Sequence, residues 1–210
     1  MLYWILRPLL WIFYKVFYRV KVYGKENLIK KGKCIVICNH LAKSDVLVVG
    51  ALYPDKTTFL SKIEWYQNKV FGWILRKLGT IPLDRDKPSL SSIKEGLQVL
   101  KDNKRLAIFP EGRRNFVTND LQEIKQGTAL FAVKAQAQIT PVIIYDRLKM
   151  FKKGYVIVGK PFDFSNFYGQ KFSEEVSQEC TNIIEKQMRD LQAELFKLVD
   201  EEKAKKSKKL

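Results

Sequence analysis

The sequence predicts an α/β fold: a single sheet covered by helices on both faces, entered through an N-terminal amphipathic helical segment. Three observations predict it. Apolar runs rich in β-branched residues, at 35–37, 106–109 and 141–145, read as buried strands. Between them lie stretches with apolar residues at helical spacing, as at Ile93, Leu97 and Leu100. Strands alternating with helices imply a sheet with both faces covered. The 210 residues hold no internal repeat and no Gly/Ser-rich linker to divide them, so one domain with a substantial core is expected.

Residues 2–23 are dense in Leu, Ile, Trp, Phe and Tyr, but Arg7, Lys15, Arg19 and Lys21 interrupt them. The longest charge-free run after Arg7 covers only 8–14, whereas a membrane span needs about 20 mainly apolar residues. No small-residue cleavage site follows, as a signal peptide would require. Wound as a helix, the cations share one side and Trp4, Trp11 and Tyr18 fall near it, while Leu6, Leu9, Phe13, Val16 and Val20 lie elsewhere. Pro8 suits an early turn or a break. That pattern fits a helical segment lying in a membrane surface, and residues 1–20 are assigned to it.

Residues 20–23, closed by Gly24, read as a short strand and turn. A strand at 34–38 ends at His40, and Ser44 is placed to cap a helix that starts at Asp45. A strand at 57–61 precedes a helical pattern over 63–78, carried by Trp65, Val70, Trp73, Ile74 and Leu78 and ended by Gly79. Residues 80–83 form a brief strand or an extended turn that opens onto Asp84-Arg85-Asp86. Ser89 or Ser91 begins the next helix, and the strand at 106–109 stops abruptly in Pro110-Glu111-Gly112-Arg113-Arg114. A helix over 128–137 leads into the strand at 141–145; residues 155–158 are one more strand, antiparallel at an edge. The last helix runs from Ser173 to about 201, with Ile184, Met188, Leu191 and Leu195 inward. The domain thus covers 21–202, and the lysine-rich tail 203–210 is expected to be disordered.

Lys and Arg number 38 against 22 Asp and Glu, a net charge of +16. Such an excess points to a polyanionic partner: nucleic acid, an anionic membrane surface or a phosphorylated substrate. No recognised nucleic-acid motif appears, and an aromatic N-terminal helix fits the other two. Cys34 and Cys38, on one strand, would lie roughly 13 Å apart, too far for a disulfide. An extended strand also cannot converge Cys34, Cys38 and His40 on one ion, so no metal is expected. A reducing compartment follows.

His40 is the sole histidine. It sits where a strand ends and a helix begins, the edge of an α/β sheet at which ligands collect. Asp45 can turn back onto its Nδ1, leaving Nε2 to take a proton from a substrate hydroxyl. Two further loops at presumed strand ends share this character: 79–85 offers Arg85, and 109–114 offers Glu111, Gly112, Arg113 and Arg114. A base beside several guanidinium forks suits a reaction on a hydroxyl of a phosphorylated compound.

In that order and at those spacings the chain resembles the glycerolipid acyltransferase family, most closely its 1-acylglycerol-3-phosphate acyltransferases. The matching blocks are Asn39-His40-x4-Asp45, Gly79-x-Ile81-x3-Arg85, Phe109-Pro110-Glu111-Gly112-x-Arg114 and Thr140-Pro141-Val142-Ile143-Ile144. Gly24-x-Glu26-Asn27-Leu28 and Lys125-x-Gly127 are similar to it as well, so the resemblance spans about 20–160. The chain departs from it at Arg113 and Asn115, where the family usually carries Thr and Ser.

The resemblance implies an αβ domain with a membrane-docking N-terminus, at the cytoplasmic face. It makes His40 the general base on the acceptor hydroxyl and Asp45 the group that holds its tautomer. The hydroxyl would attack a fatty acyl thioester directly, with no acyl-enzyme, no metal and no resident cofactor. Arg85 and Arg114 would clamp the acceptor phosphate, and Glu111 would accept from a glycerol hydroxyl or fix an arginine. Gly112 is a candidate oxyanion donor. The implied partners are an anionic membrane surface, lysophosphatidate, and acyl-coenzyme A or acyl carrier protein, with phosphatidic acid as product. Another lysophospholipid or glycerol-3-phosphate is the rival acceptor. A non-catalytic basic surface- or nucleic-acid-binding protein is the rival class, against which His40 and Asp45 both stand.

Overall fold

The structure is a computed structural model that describes residues 8, 12, 16–85 and 87–208. The strands are β1 (Lys21–Tyr23), β2 (Cys34–Cys38), β3 (Thr57–Lys62), β4 (Ile81–Leu83), β5 (Arg105–Ile108), β6 (Gln138–Ile144) and β7 (Tyr155–Val158). The helices are α1 (Asp45–Leu52), α2 (Lys69–Leu78), α3 (Leu90–Lys101), α4 (Gly127–Ala135) and α5 (Glu174–Ser207). The strands form one seven-stranded sheet in the order β1-β7-β6-β2-β5-β3-β4. Every pairing is parallel except β6 with β7, so β7 and β1 run against the other strands.

Central β2 is buried at every position, as expected of a strand covered on both faces. Its side chains alternate: Ile35 and Ile37 join Leu100 of α3, Phe131 of α4 and Met188 of α5 in one core. Cys34, Val36 and Cys38 join Val48 and Val49 of α1 in the other. The single sheet with helices on both faces is therefore as the sequence reads. The N-terminal docking segment falls mainly on residues 1–7, 9–11 and 13–15, which lie outside the described residues. Among the described residues no helix is long and apolar enough to cross a membrane.

Four local readings differ. The strand at 155–158 is antiparallel to β6 but is not an edge, because β1 pairs with its other side. The helical pattern over 63–78 is divided: Ile63–Tyr66 is a 3-10 turn, and α2 starts only after Asn68, whose side chain accepts from Phe71 N–H at 2.9 Å. An N-cap of this kind satisfies a helix's orphan donor. Gly79 ends α2 in the left-handed region at φ 73°, as expected. Ser44 has helical backbone angles and makes no side-chain cap bond; Asp45 bonds the preceding turn instead.

The last helix also runs on to Ser207, into the lysine run. Its end is pinned to the sheet by Glu202, which accepts from Lys21 Nζ at 2.6 Å and Tyr23 Oη at 2.8 Å and pairs with Lys153. Those lysines hold the Glu202 carboxyl far below the usual carboxylate range. Lys203 donates to Tyr145 Oη at 3.0 Å.

The topology places the chemistry. β2, β3, β4, β5 and β6 all end at one edge, and the loops that leave it carry His40, Arg85 and Glu111. Because β1 and β7 run the other way, residues 16–20 and the connection from β6 to β7 reach the same edge.

Candidate active site

The site is assembled from the loops that follow β2 and β5. At the end of β2, Asn39 bridges to β6: its Nδ2 donates to Ile144 O at 2.9 Å and its Oδ1 accepts from Ile144 N–H at 2.8 Å. The chain then turns, and the five-residue spacing brings Asp45, the first residue of α1, back onto the imidazole. His40 Nδ1 lies 2.9 Å from Asp45 Oδ2. The same oxygen accepts from Leu41 N–H at 2.6 Å and Ala42 N–H at 2.7 Å, while Oδ1 makes no hydrogen bond. Facing a buried carboxylate, Nδ1 is the protonated nitrogen, which leaves Nε2 as the acceptor. The Phe109 ring stacks on the imidazole, with centroids 4.0 Å apart and planes at 19°.

The loop after β5 grips the His40 backbone from both sides. His40 N–H donates to Glu111 Oε1 at 2.8 Å, and His40 O accepts from Asn115 N–H at 2.8 Å. Glu111 Oε2 accepts from Gln122 N–H at 3.0 Å. Both oxygens of this carboxylate, which is 1% exposed, thus serve backbone donors. This corrects the expectation that Glu111 meets a glycerol hydroxyl or an arginine: it is a positioning residue that holds the His40 loop. Burial pushes its carboxyl up and the two N–H bonds pull it down; burial is the larger effect. Glu111→Gln is expected to set an amide N–H₂ against one of the two donors. The cost is about 1–3 kcal/mol for the unpaired buried group, roughly 2–4 °C of Tm per kcal/mol for a chain of this size. Thermal melts and steady-state kinetics check this: Tm and kcat should fall while the acceptor KM stays put. A change confined to the acceptor KM would restore the substrate-contact reading.

Gly112 takes φ 68°, in the left-handed region that favours glycine. Its N–H already donates to Phe109 O at 3.0 Å, so the amide closes a turn and is not aimed at a reacting carbonyl. Arg113 is exposed and donates through Nε to Gln122 Oε1 at 3.1 Å. Arg114 is half-buried, with its guanidinium 5.1 Å from the centre of the Phe116 ring.

His40, Arg85 and Arg114 converge on one cavity of about 600 Å³, whose apolar wall includes Phe59, Trp65 and Leu75. A smaller cavity of about 190 Å³, lined by Ile93, Ile108, Gly112 and Phe131, shares Arg85 and Phe109 with it. The arrangement offers an oriented base, two guanidinium forks and apolar surface within one cleft. Sequence reasoning missed two supports. Asn115 bonds His40 and shapes its own loop, accepting from Val117 and Thr118 N–H at 3.0 Å each; an Asn followed by a Thr three residues on is a turn signal that was there to use. Arg147, which donates to Asn115 O at 2.8 Å, gave no sequence signal at all.

Cys34, Cys38 and Cys180 are free and buried, and burial pushes all three thiols up, Cys38 most strongly. A thiol so placed is a poor nucleophile. Among the described residues no three His, Cys, Asp or Glu side chains are grouped as a metal ion needs.

A family model described as Acyltransferase matches residues 19–145, which include His40, Asp45, Arg85, Glu111 and Arg114. The chain is 30% identical over 185 residues to a 1-acyl-sn-glycerol-3-phosphate acyltransferase of Bacillus subtilis, covering 85% of this chain and 91% of that one. It is 31% identical over 186 residues to the enzyme of the same name from Saccharomyces cerevisiae, covering 78% of this chain but only 61% of the yeast protein. The fold is similar to the crystal structure of the 1-acyl-sn-glycerophosphate acyltransferase of Thermotoga maritima, with a TM-score of 0.60 and 22% identity, over 83% of this chain and 72% of that one.

Proposed function

The chain belongs to the Acyltransferase family, and from that premise we propose that it moves a fatty acyl group from an acyl thioester to the sn-2 hydroxyl of 1-acylglycerol 3-phosphate, giving phosphatidic acid. The observation that carries the reading is His40 Nδ1 held 2.9 Å from buried Asp45 Oδ2 at the wall of a cavity shared with Arg85 and Arg114.

The acceptor hydroxyl gives its proton to His40 Nε2 as its oxygen attacks the thioester carbonyl. Asp45 Oδ2 steadies the imidazolium that forms. The tetrahedral intermediate collapses by breaking the C–S bond, and the departing thiolate takes the proton back from His40. One ester C–O bond replaces one thioester bond, and the base is regenerated without an acyl-enzyme. Stacking on Phe109 fixes the ring plane, and the backbone bonds from Glu111 and Asn115 fix the loop, so that little reorganisation accompanies proton transfer. Arg85 and Arg114 take the acceptor phosphate, and the apolar wall takes hydrocarbon. The donor is an acyl-coenzyme A or acyl carrier protein, and the acceptor is met at the cytoplasmic face of a membrane.

The test is what the arginines read. A phosphomonoester is nearly dianionic at neutral pH, and a guanidinium bonds two of its oxygens at once, which a lysine cannot reproduce. Arg85→Lys is therefore expected to lower kcat/KM for lysophosphatidate although charge is kept. A lost charged hydrogen bond is worth about 1.5–3 kcal/mol, or roughly 10- to 150-fold. The acyl-donor KM should be nearly unchanged. Lysophosphatidylcholine, a capped phosphodiester with one negative charge, is the control: equal use of both acceptors by the wild-type protein, or an equal loss on both in Arg85→Lys, would sink the acceptor assignment.

A further inference from the structure

Helix α2 faces the wrong way for a domain helix. An amphipathic surface helix normally turns its apolar side to the core. Within α2 only Gly72 is buried, and a Cβ there would come 2.9 Å from Tyr66 O, so the glycine side is the one that packs inward. The packing contacts of α2 are chiefly with the 3-10 turn before it. At 100° per residue Val70, Ile74 and Leu78 lie on the opposite side from Gly72, Ile74 and Leu78 half-buried, with Phe71 and Trp73 flanking them on either side. Val70 is 71% exposed and Trp73 55%.

Cations border this apolar face. Lys77 Nζ lies 5.7 Å from the centre of the Trp73 ring and Lys43 Nζ 5.4 Å from that of Trp65. Lys69, at the start of α2, is exposed as well, and Lys62 is exposed but paired with Glu64 at 2.6 Å. Aromatic and aliphatic side chains bordered by lysines are what a surface needs to enter the headgroup region of an anionic bilayer. The face is also continuous with the His40 cavity, because Trp65, Phe71 and Leu75 line that cavity's wall. Further exposed apolar side chains, Phe116 and Val117 after β5 and Met150 and Phe151 after β6, lie on loops at the same edge of the sheet. Residues 16–20 meet the sheet at that edge too, where Phe151 N–H donates to Phe17 O at 2.6 Å.

We propose that the outward face of α2, from Val70 to Trp73, docks this edge of the domain onto an anionic lipid surface and sets the mouth of the His40 cavity against it. This is a second membrane contact, built on the folded domain and additional to residues 1–20. It concerns binding alone and is measured without substrate, so its failure and a failure of the acyl-transfer reading are told apart.

The decisive probe is Trp73 itself. In the full chain with Trp4, Trp11 and Trp65 replaced by Phe, Trp73 emission should shift to the blue and be quenched on vesicles of brominated phosphatidylcholine mixed with phosphatidylglycerol. Without lipid it should be open to quenching by acrylamide in water. Val70→Glu with Trp73→Glu, made in the otherwise native chain, should lower vesicle partitioning tenfold or more, about what two lost apolar contacts cost. Lys69→Glu with Lys77→Glu should lower it roughly fivefold or more per residue on vesicles with phosphatidylglycerol and far less on phosphatidylcholine alone. Vesicle-bound protein with unquenched Trp73 overturns the proposal. So does Trp73 already shielded from acrylamide in lipid-free protein, which would mean that the chain covers its own face. A glutamate variant that turns a dimer into a monomer with vesicle binding unchanged would give the face to a second copy and overturn it as well.

Discussion

His40→Ala removes nearly all acyl transfer and leaves the protein folded: that is the largest effect expected of a single substitution here. Loss of a general base costs at least about 10²–10⁴-fold, and as the chain's sole histidine His40 has no substitute nearby. The structural cost should be small. The loop is held through the His40 peptide, by Glu111 on one side and Asn115 on the other, and neither bond involves the imidazole. Asp45 Oδ2 loses one donor but keeps Leu41 and Ala42 N–H. Phe109 loses its stacking partner on one face and retains Phe59, stacked at 6.4 Å. Circular dichroism and a thermal melt establish folding; phosphatidic acid formed per enzyme in a fixed-time assay measures turnover. A folded His40→Ala protein with wild-type kcat would end the mechanism.

The pairing of His40 with Asp45 was legible in the sequence because both ends of it are local. A strand end, a five-residue turn and a helix start leave little choice about where the carboxylate goes. The role of Glu111 was not, because it is decided between loops that lie far apart in the chain. A carboxylate flanked by arginines reads as a charge partner, yet its β5 loop lands on the β2 loop and its oxygens go to backbone N–H groups. The pattern over 63–78 teaches a different lesson. Its apolar periodicity is genuine and α2 is helical, but periodicity reports that a helix has an apolar side, not that the domain covers it. Gly72 held the missing information, since a residue without a side chain marks where a helix comes close to another backbone. The last helix likewise runs past 201, where Glu202 meets Lys21 and Lys153, partners far from it in sequence that no local propensity reveals.

Asp45→Asn is expected to slow transfer by roughly 10- to 150-fold, clearly less than His40→Ala. In the serine-protease triad the same change costs about 10⁴-fold by selecting the wrong histidine tautomer, and the bare spacing of His40 and Asp45 invites that figure. The geometry argues for a smaller one. All three donors meet Asp45 Oδ2, and Oδ1 has no hydrogen bond. An asparagine must put its amide oxygen at the Oδ2 position, because the reverse would press its N–H₂ against the N–H groups of Leu41 and Ala42. His40 Nδ1–H then keeps an acceptor, and Nε2 stays free to take the hydroxyl proton. What goes is the negative charge opposite the imidazolium, about 1.5–3 kcal/mol for a charged hydrogen bond. The amide N–H₂ is left buried at the Oδ1 position, which adds about 1–3 kcal/mol of lost stability. Asp45→Ala leaves all three donors unpaired and should be worse in both Tm and turnover. The two variants measured side by side, by melting temperature and by kcat, decide the matter. A loss near 10⁴-fold in Asp45→Asn, with Tm falling towards that of Asp45→Ala, would mean that the amide sits the other way and that the tautomer, rather than the charge, is what Asp45 supplies.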